Sequence, residues 1–251
     1  MKFTIYISTV LLSFISITTS AQTFTTNKSR VNLIELYTSE GCSSCPPADD
    51  WLNRLKHDPR LWSEFIPVAF HVDYWDFIGW KDPFAKPQFS DRQRQYSQQN
   101  NLSSVYTPGM LFNGQEWTSW RRQSKLKYAA SKPSGKLAVN LNDDAINASY
   151  HPLEKSNSNL MLNVVILGFD LKIDIKTGEN KGRQLTHDFV VLGYKKIAMR
   201  LSNDGLYKVS DVALPNLTTN PSTKALVTWV NDIENLNPIQ ATGGWINQVS
   251  N

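Results

Sequence analysis

Two halves of different rhythm predict an α/β unit followed by a smaller, mainly antiparallel β domain. In the first half, apolar runs of strand length alternate with helix openings, and in the second such runs follow one another across polar turns without a helix. A chain of 251 residues has room for two modest domains. Pro133-Ser134-Gly135 is the break in pattern at which the boundary is expected, giving 1–21 as an export signal, 22–133 as the first domain and 134–251 as the β-rich one.

The export signal rests on Lys2, the apolar run from Phe3 to Ile17, and the small residues up to Ala21, after which cleavage is expected. The run is shorter than the ~20 apolar residues needed to span a bilayer. The mature chain is therefore expected to be periplasmic or secreted, with no stable membrane span. Its 26 Lys and Arg against 22 Asp and Glu leave +4, or +3 once Lys2 is removed, and these charges are scattered. No nucleic-acid partner is expected from that pattern. With 41% hydrophobic residues the chain is rich enough to build a core.

In order along the chain, Val31 to Tyr37 reads as a buried strand that stops at Thr38-Ser39-Glu40-Gly41. Pro46-Pro47 opens a helix whose apolar face is Trp51, Leu52 and Leu55, since proline is tolerated where backbone N–H groups have no partner. Phe65 to Val72 is a second buried strand, and strand, helix, strand predicts a parallel crossover. An aromatic loop from Tyr74 to Trp80 follows, then a polar helix over Phe89 to Gln99. Val105 to Trp117 is a strand that turns back at Asn113-Gly114, a strong hairpin signal. Trp120 to Lys132 is expected to close this unit as a helix. The strands of the second half are Leu160 to Phe169, Leu171 to Ile175, Phe189 to Tyr194 and Ala225 to Val230.

The two cysteines of the chain stand in Gly41-Cys42-Ser43-Ser44-Cys45-Pro46, between a strand and a helix start. A disulfide closing so short a loop removes little chain entropy, which favours a redox pair over a structural staple. A thiolate at Cys42 is stabilised by the helix N-terminus, and Cys45 is placed to resolve a mixed disulfide. Ser43 and Ser44 are expected to tune the thiolate through their hydroxyls. Thr107-Pro108 precedes the hairpin strand, where a cis proline would set the Thr107 backbone beside Cys42 to receive an extended client. A trans turn proline is the alternative.

The strand, the CxxC at a helix start and the Thr-Pro before a hairpin resemble the thioredoxin fold over residues 31–132. GCSSCPPAD at 41–49, HVDYWDFIGWKDPF at 71–84, SDRQRQY at 90–96 and GENKGRQLTH at 178–187 resemble an uncharacterised family of secreted bacterial thioredoxin-like proteins, a domain of unknown function. The resemblance implies a Gram-negative, periplasmic or secreted setting and a thioredoxin-like first domain. It supplies no substrate.

His71 ends the second strand, at the sheet edge expected to carry the CxxC. Either it tunes Cys42 with Asp73 or Asp76, or it joins the cysteines in holding copper(I), or it is hydrogen-bonded structure. Trp75 and Trp80 either cap the core or line a client groove. Asp91, Arg92, Arg94 and Tyr96 read as a solvated helix face with room for one buried ion pair, and the Gly178 to Arg183 stretch as a turn. The leading function is an exported thiol–disulfide oxidoreductase acting on a disulfide- or thiol-containing client, with a redox partner of unknown identity and no cofactor or resident metal. The alternatives are a copper-handling protein and a non-catalytic binding module with an inert disulfide.

Overall fold

The computed structural model describes residues 21–99, 101–123, 126–128 and 132–247; the expected export signal, apart from Ala21, lies outside the described residues. Fifteen strands and only two α-helices occur among them. The chain opens with β1 (Gln22–Thr25) and β2 (Asn32–Thr38), then α1 (Pro46–Asn53), β3 (Phe65–His71) and α2 (Pro87–Gln98). A hairpin of β4 (Gly109–Phe112) and β5 (Gln115–Glu116) turns at Asn113 and Gly114, whose φ values of 51° and 79° suit such a turn. There follow β6 (Lys136–Asn142), β7 (Ala145–His151), β8 (Leu160–Gly168), β9 (Leu171–Asp174) and β10 (Gln184–His187). The last are β11 (Val190–Ala198), β12 (Arg200–Leu201), β13 (Tyr207–Ala213), β14 (Lys224–Asp232) and β15 (Asn235–Trp245).

The expected fold class is overturned: the molecule is mostly β, not a thioredoxin-like α/β unit followed by a smaller β domain. The β2–α1–β3 stretch forms, with β2 parallel to β3 from Asn32↔Phe65 to Thr38↔His71. Its sheet does not end there. β11 lies parallel to β3 through Val190↔Ala69, and the eight-stranded sheet runs β15-β14-β8-β11-β3-β2-β4-β5. The helix expected over Trp120 to Lys132 is replaced by a short 3-10 turn, Thr118–Arg122, with 124–125 and 129–131 outside the described residues.

The physical reason is the burial of β8 and β14 on both faces. Leu162, Val164 and Ile166 of β8 and Leu226 and Val230 of β14 pack beneath the five-stranded sheet β1-β6-β7-β13-β12. Their alternates Val165, Leu167, Val227 and Trp229 join the core shared with β2, β3, α1 and α2. A strand so covered reads as a continuous apolar run, and it needs a layer on each side. A small free-standing β domain provides only one.

Candidate functional site

Cys42 and Cys45 form a disulfide, with Cα atoms 5.5 Å apart, at the start of α1. Pro46 and Pro47 take the first helical positions and contribute no N–H. The next two N–H groups, of Ala48 and Asp49, both donate to the Cys45 carbonyl at 2.8 and 3.2 Å. The helix start therefore offers Cys42 its dipole but few free donors. The Ser44 hydroxyl fills that role, 3.3 Å from Cys42 Sγ. Ser43 is turned elsewhere, its N–H donating to Glu179 Oε2 at 3.1 Å. Both cysteines are 0% exposed.

Behind the disulfide lies a buried group of ionisable side chains: Glu40, Asp49, His71, Asp82 and His187. His71 Nδ1 lies 2.7 Å from Asp82 Oδ2, and the Glu40 N–H donates to that same oxygen at 2.9 Å. His187 Nε2 stands 3.3 Å from Glu40 Oε1, and the two imidazole rings meet edge to face at 5.1 Å. Burial alone would depress the His71 imidazole, but Asp82, Asp49 and Glu40 outweigh it and raise its pKa to about 9. Burial likewise pushes the Asp49 carboxyl up to about 6 against the pull of His187 and His71 and the Thr38 hydroxyl, 3.1 Å away. For Asp82 burial is opposed by His71, and the carboxyl is held below its ordinary value.

His71 thus meets Asp82, where the sequence named Asp73 or Asp76. Asp73 is engaged by the Ser90 hydroxyl, and Asp76 Oδ1 accepts the Asp82 N–H at 3.1 Å. Among the described residues no group of three His, Cys, Asp or Glu side chains is arranged to hold a metal ion.

The aromatic loop braces this site. The Trp75 indole N–H donates to Thr107 Oγ1 at 2.7 Å, and its Cβ packs 3.1 Å from where a side chain on Gly41 would begin. The Trp80 indole N–H donates to Glu40 Oε2 at 2.7 Å. The Thr107–Pro108 bond is cis, and both residues line one groove with Ser44. Its aromatic lining is Trp51 and Trp120 rather than Trp75 and Trp80.

Sequence reasoning missed the roof. The turn between β9 and β10 lies over the CxxC: Asn180 Nδ2 donates to the carbonyls of Glu40 and Cys42 at 2.8 and 3.0 Å, and Glu179 holds Ser43. Thr177 also bonds the Gly79 carbonyl. The sequence also gives no site role to Glu40, Asp49, Asp82 or His187, although each falls inside or beside a motif singled out for its resemblance.

Fold and site define a mostly β protein with a buried CxxC disulfide at a helix start, backed by ionisable groups and roofed by a hairpin. Residues 33–231 match the family described as "Protein of unknown function (DUF1223)", and the chain belongs to that family. No curated protein matches the sequence. Among solved structures, HBP35 of Porphyromonas gingivalis is similar at a TM-score of 0.61 and 14% identity, over 90% of this chain and 81% of that one. The crystal structure of protein AGR_C_4864 from Agrobacterium tumefaciens is similar at 0.54 and 18% identity, over 90% of this chain and 99% of that one. At these identities the likeness is one of fold.

Proposed function

We propose that this protein is an exported thiol–disulfide oxidoreductase in which Cys42 exchanges with a client and Cys45 resolves. The observation that carries this reading is the buried ionisable group packed behind the disulfide. Burying five such side chains is costly, and groups with shifted pKa values concentrate where chemistry needs them. A crosslink that closes so short a loop gives little stability in return.

In the oxidised form present here, a client thiolate attacks Cys42 Sγ. The bond to Cys45 breaks, and Cys45 leaves with the electron pair as a thiolate. A second client thiolate then attacks the client sulfur of the mixed disulfide and releases Cys42 as a thiolate. The client gains a disulfide, and two protons complete the reduced pair. The reverse sequence reduces a client disulfide. We assign to Asp49, four residues along from Cys45 and with its pKa near 6, the exchange of a proton with Cys45. The Ser44 hydroxyl stabilises the Cys42 thiolate by donating to it.

One observation favours a second reading, the binding module with an inert disulfide: neither cysteine is exposed. The two separate by potential. Equilibrating the mature protein with glutathione buffers and trapping free thiols, with Cys42→Ser as control, is expected to give a reversible transition between about −120 and −270 mV. A pair that stays oxidised below about −300 mV supports the inert disulfide instead.

A further inference from the structure

We infer that the groove beside the CxxC receives an extended acidic segment of a client protein, an inference that rests on the oxidoreductase reading. The groove encloses about 640 Å³, within the roughly 300–1,000 Å³ typical of ligand sites, and Ser44 stands on its wall next to Cys42. Thr107 and Pro108 line it too, and Thr107 lies outside the β2–β4 ladder, which begins at Gly109↔Tyr37. Its backbone is thus positioned to meet an extended chain.

The charge of the groove names the occupant. Arg54, Arg121 and Arg122 line it, all three exposed, and no carboxylate of the described residues forms an ion pair with any of them. Arg121 is held over the Trp120 ring, with Cζ 5.3 Å from its centroid. Trp120 and Trp51 are themselves buried with ring centroids 6.1 Å apart, so the cationic rim stands on a rigid aromatic wall. Three guanidiniums unmatched within the described residues and spread over two elements complement several carboxylates on one extended ligand. A client cysteine flanked by Asp and Glu satisfies both ends, sulfur toward Cys42 and carboxylates toward the arginines.

The test uses the mature oxidised protein and three cysteine peptides of equal length with acidic, neutral and basic flanks. Exchange with the Cys42–Cys45 disulfide is expected to run fastest with the acidic peptide and slowest with the basic one. At low salt the extremes should differ at least tenfold, and the gap should narrow in ~0.5 M salt, where charges are screened beyond about 4 Å. The triple variant R54E/R121E/R122E should invert the order, while R54K/R121K/R122K keeps it, and a circular dichroism spectrum matching the parent checks that both variants fold. A fluorescent acidic peptide with serine for cysteine reports binding alone by anisotropy. Equal exchange with all three peptides, together with no charge preference in anisotropy, overturns the acidic groove and leaves the oxidoreductase intact. Absence of exchange with every thiol, with the serine peptide still bound according to charge, sinks the oxidoreductase and leaves the groove as a binding site.

Discussion

Arg92 and Glu35 are 1% and 0% exposed and meet at 2.8 Å, Nε to Oε2, inside a ring of tyrosines. Tyr194 and Tyr96 hydroxyls lie 3.1 and 3.0 Å from the guanidinium, and its Cζ stands 5.1 Å from the centre of the Trp229 ring. Each guanidinium nitrogen has a partner, and removing the arginine leaves the buried Glu35 charge without a counter-charge, held only by the Tyr37 and Tyr96 hydroxyls. Arg92→Ala should therefore cost about 3–5 kcal/mol, or roughly 6–20 °C in melting temperature; a loss within about 1 °C would mean that Glu35 finds water instead. His71 makes a different prediction. Its folded value near 9 lies above the ~6.5 of an unfolded chain, so the folded state holds the extra proton. The stability this contributes is complete below about pH 6.5 and is lost as pH rises through about 9. Melting of the oxidised protein should fall across that window, and His71→Gln should melt lower at about pH 6 yet show a flatter profile; parallel curves would remove His71 as the cause. Asp91 and Arg94 form an exposed pair on the solvated face that the sequence predicts, and Arg92 with Glu35 is the one buried ion pair for which that reading leaves room. That Arg92 is the buried member and that Tyr96 joins it in the core was not legible, because a guanidinium is buried only when tertiary partners satisfy it, and Glu35 and Tyr194 come from distant strands.

The element that most changes the reading of the site is the β9–β10 hairpin. Residue for residue it was legible: polar, turn-rich, with Gly178 and Gly182 at φ values of 75° and 82°. Its position was not, since the contacts of Asn180 with Glu40 and Cys42 span 140 and 138 residues and no local pattern encodes them. By contrast the CxxC, its helix start and the Asn113-Gly114 hairpin were readable because turn chemistry and helix capping act over a few residues. The hairpin pairs only within itself, β9 against β10, and is a two-stranded sheet apart from the larger two. Such a ribbon is marginal alone, so its closure over the disulfide depends on a few bonds. Asn180→Ala removes two of them, each worth about 1 kcal/mol net. Reduction of the disulfide by a phosphine should accelerate about thirtyfold in this variant, with a fall of roughly 4–8 °C in melting temperature. An unaltered rate would show that the cysteines are uncovered by some other motion.

At the scale of the whole molecule, the apolar runs of the second half were placed correctly in sequence and assigned to the wrong architecture. The run from Leu160 to Gly168 shows no in–out alternation, which already signals a strand covered on both faces. What it cannot signal is which layers cover it, and the answer is α2 on one side, where Arg92 meets Trp229 and Tyr194, and the five-stranded sheet on the other. The bridge is β11 with the residue before it, Phe189, whose carbonyl accepts the Ala69 N–H at 2.9 Å; further along, Tyr194 stacks on Trp229 at 6.0 Å. Arg92 of α2 packs against both of those stacked rings. Because the two halves share one sheet and one core, losing either exposes the apolar face of the other, and local opening of one half alone is disfavoured. Denaturant-dependent hydrogen exchange should therefore give β2 and β3 amides the same global opening energy as those of β8 and β14, and fluorescence and circular dichroism should share one midpoint. Trp229→Ala, which empties the junction, should lower that midpoint for all probes together. If β8 and β14 instead exchanged at clearly lower denaturant than β2 and β3, the second half would be an independent cooperative unit, and the shared sheet would be a contact between modules rather than the source of their stability.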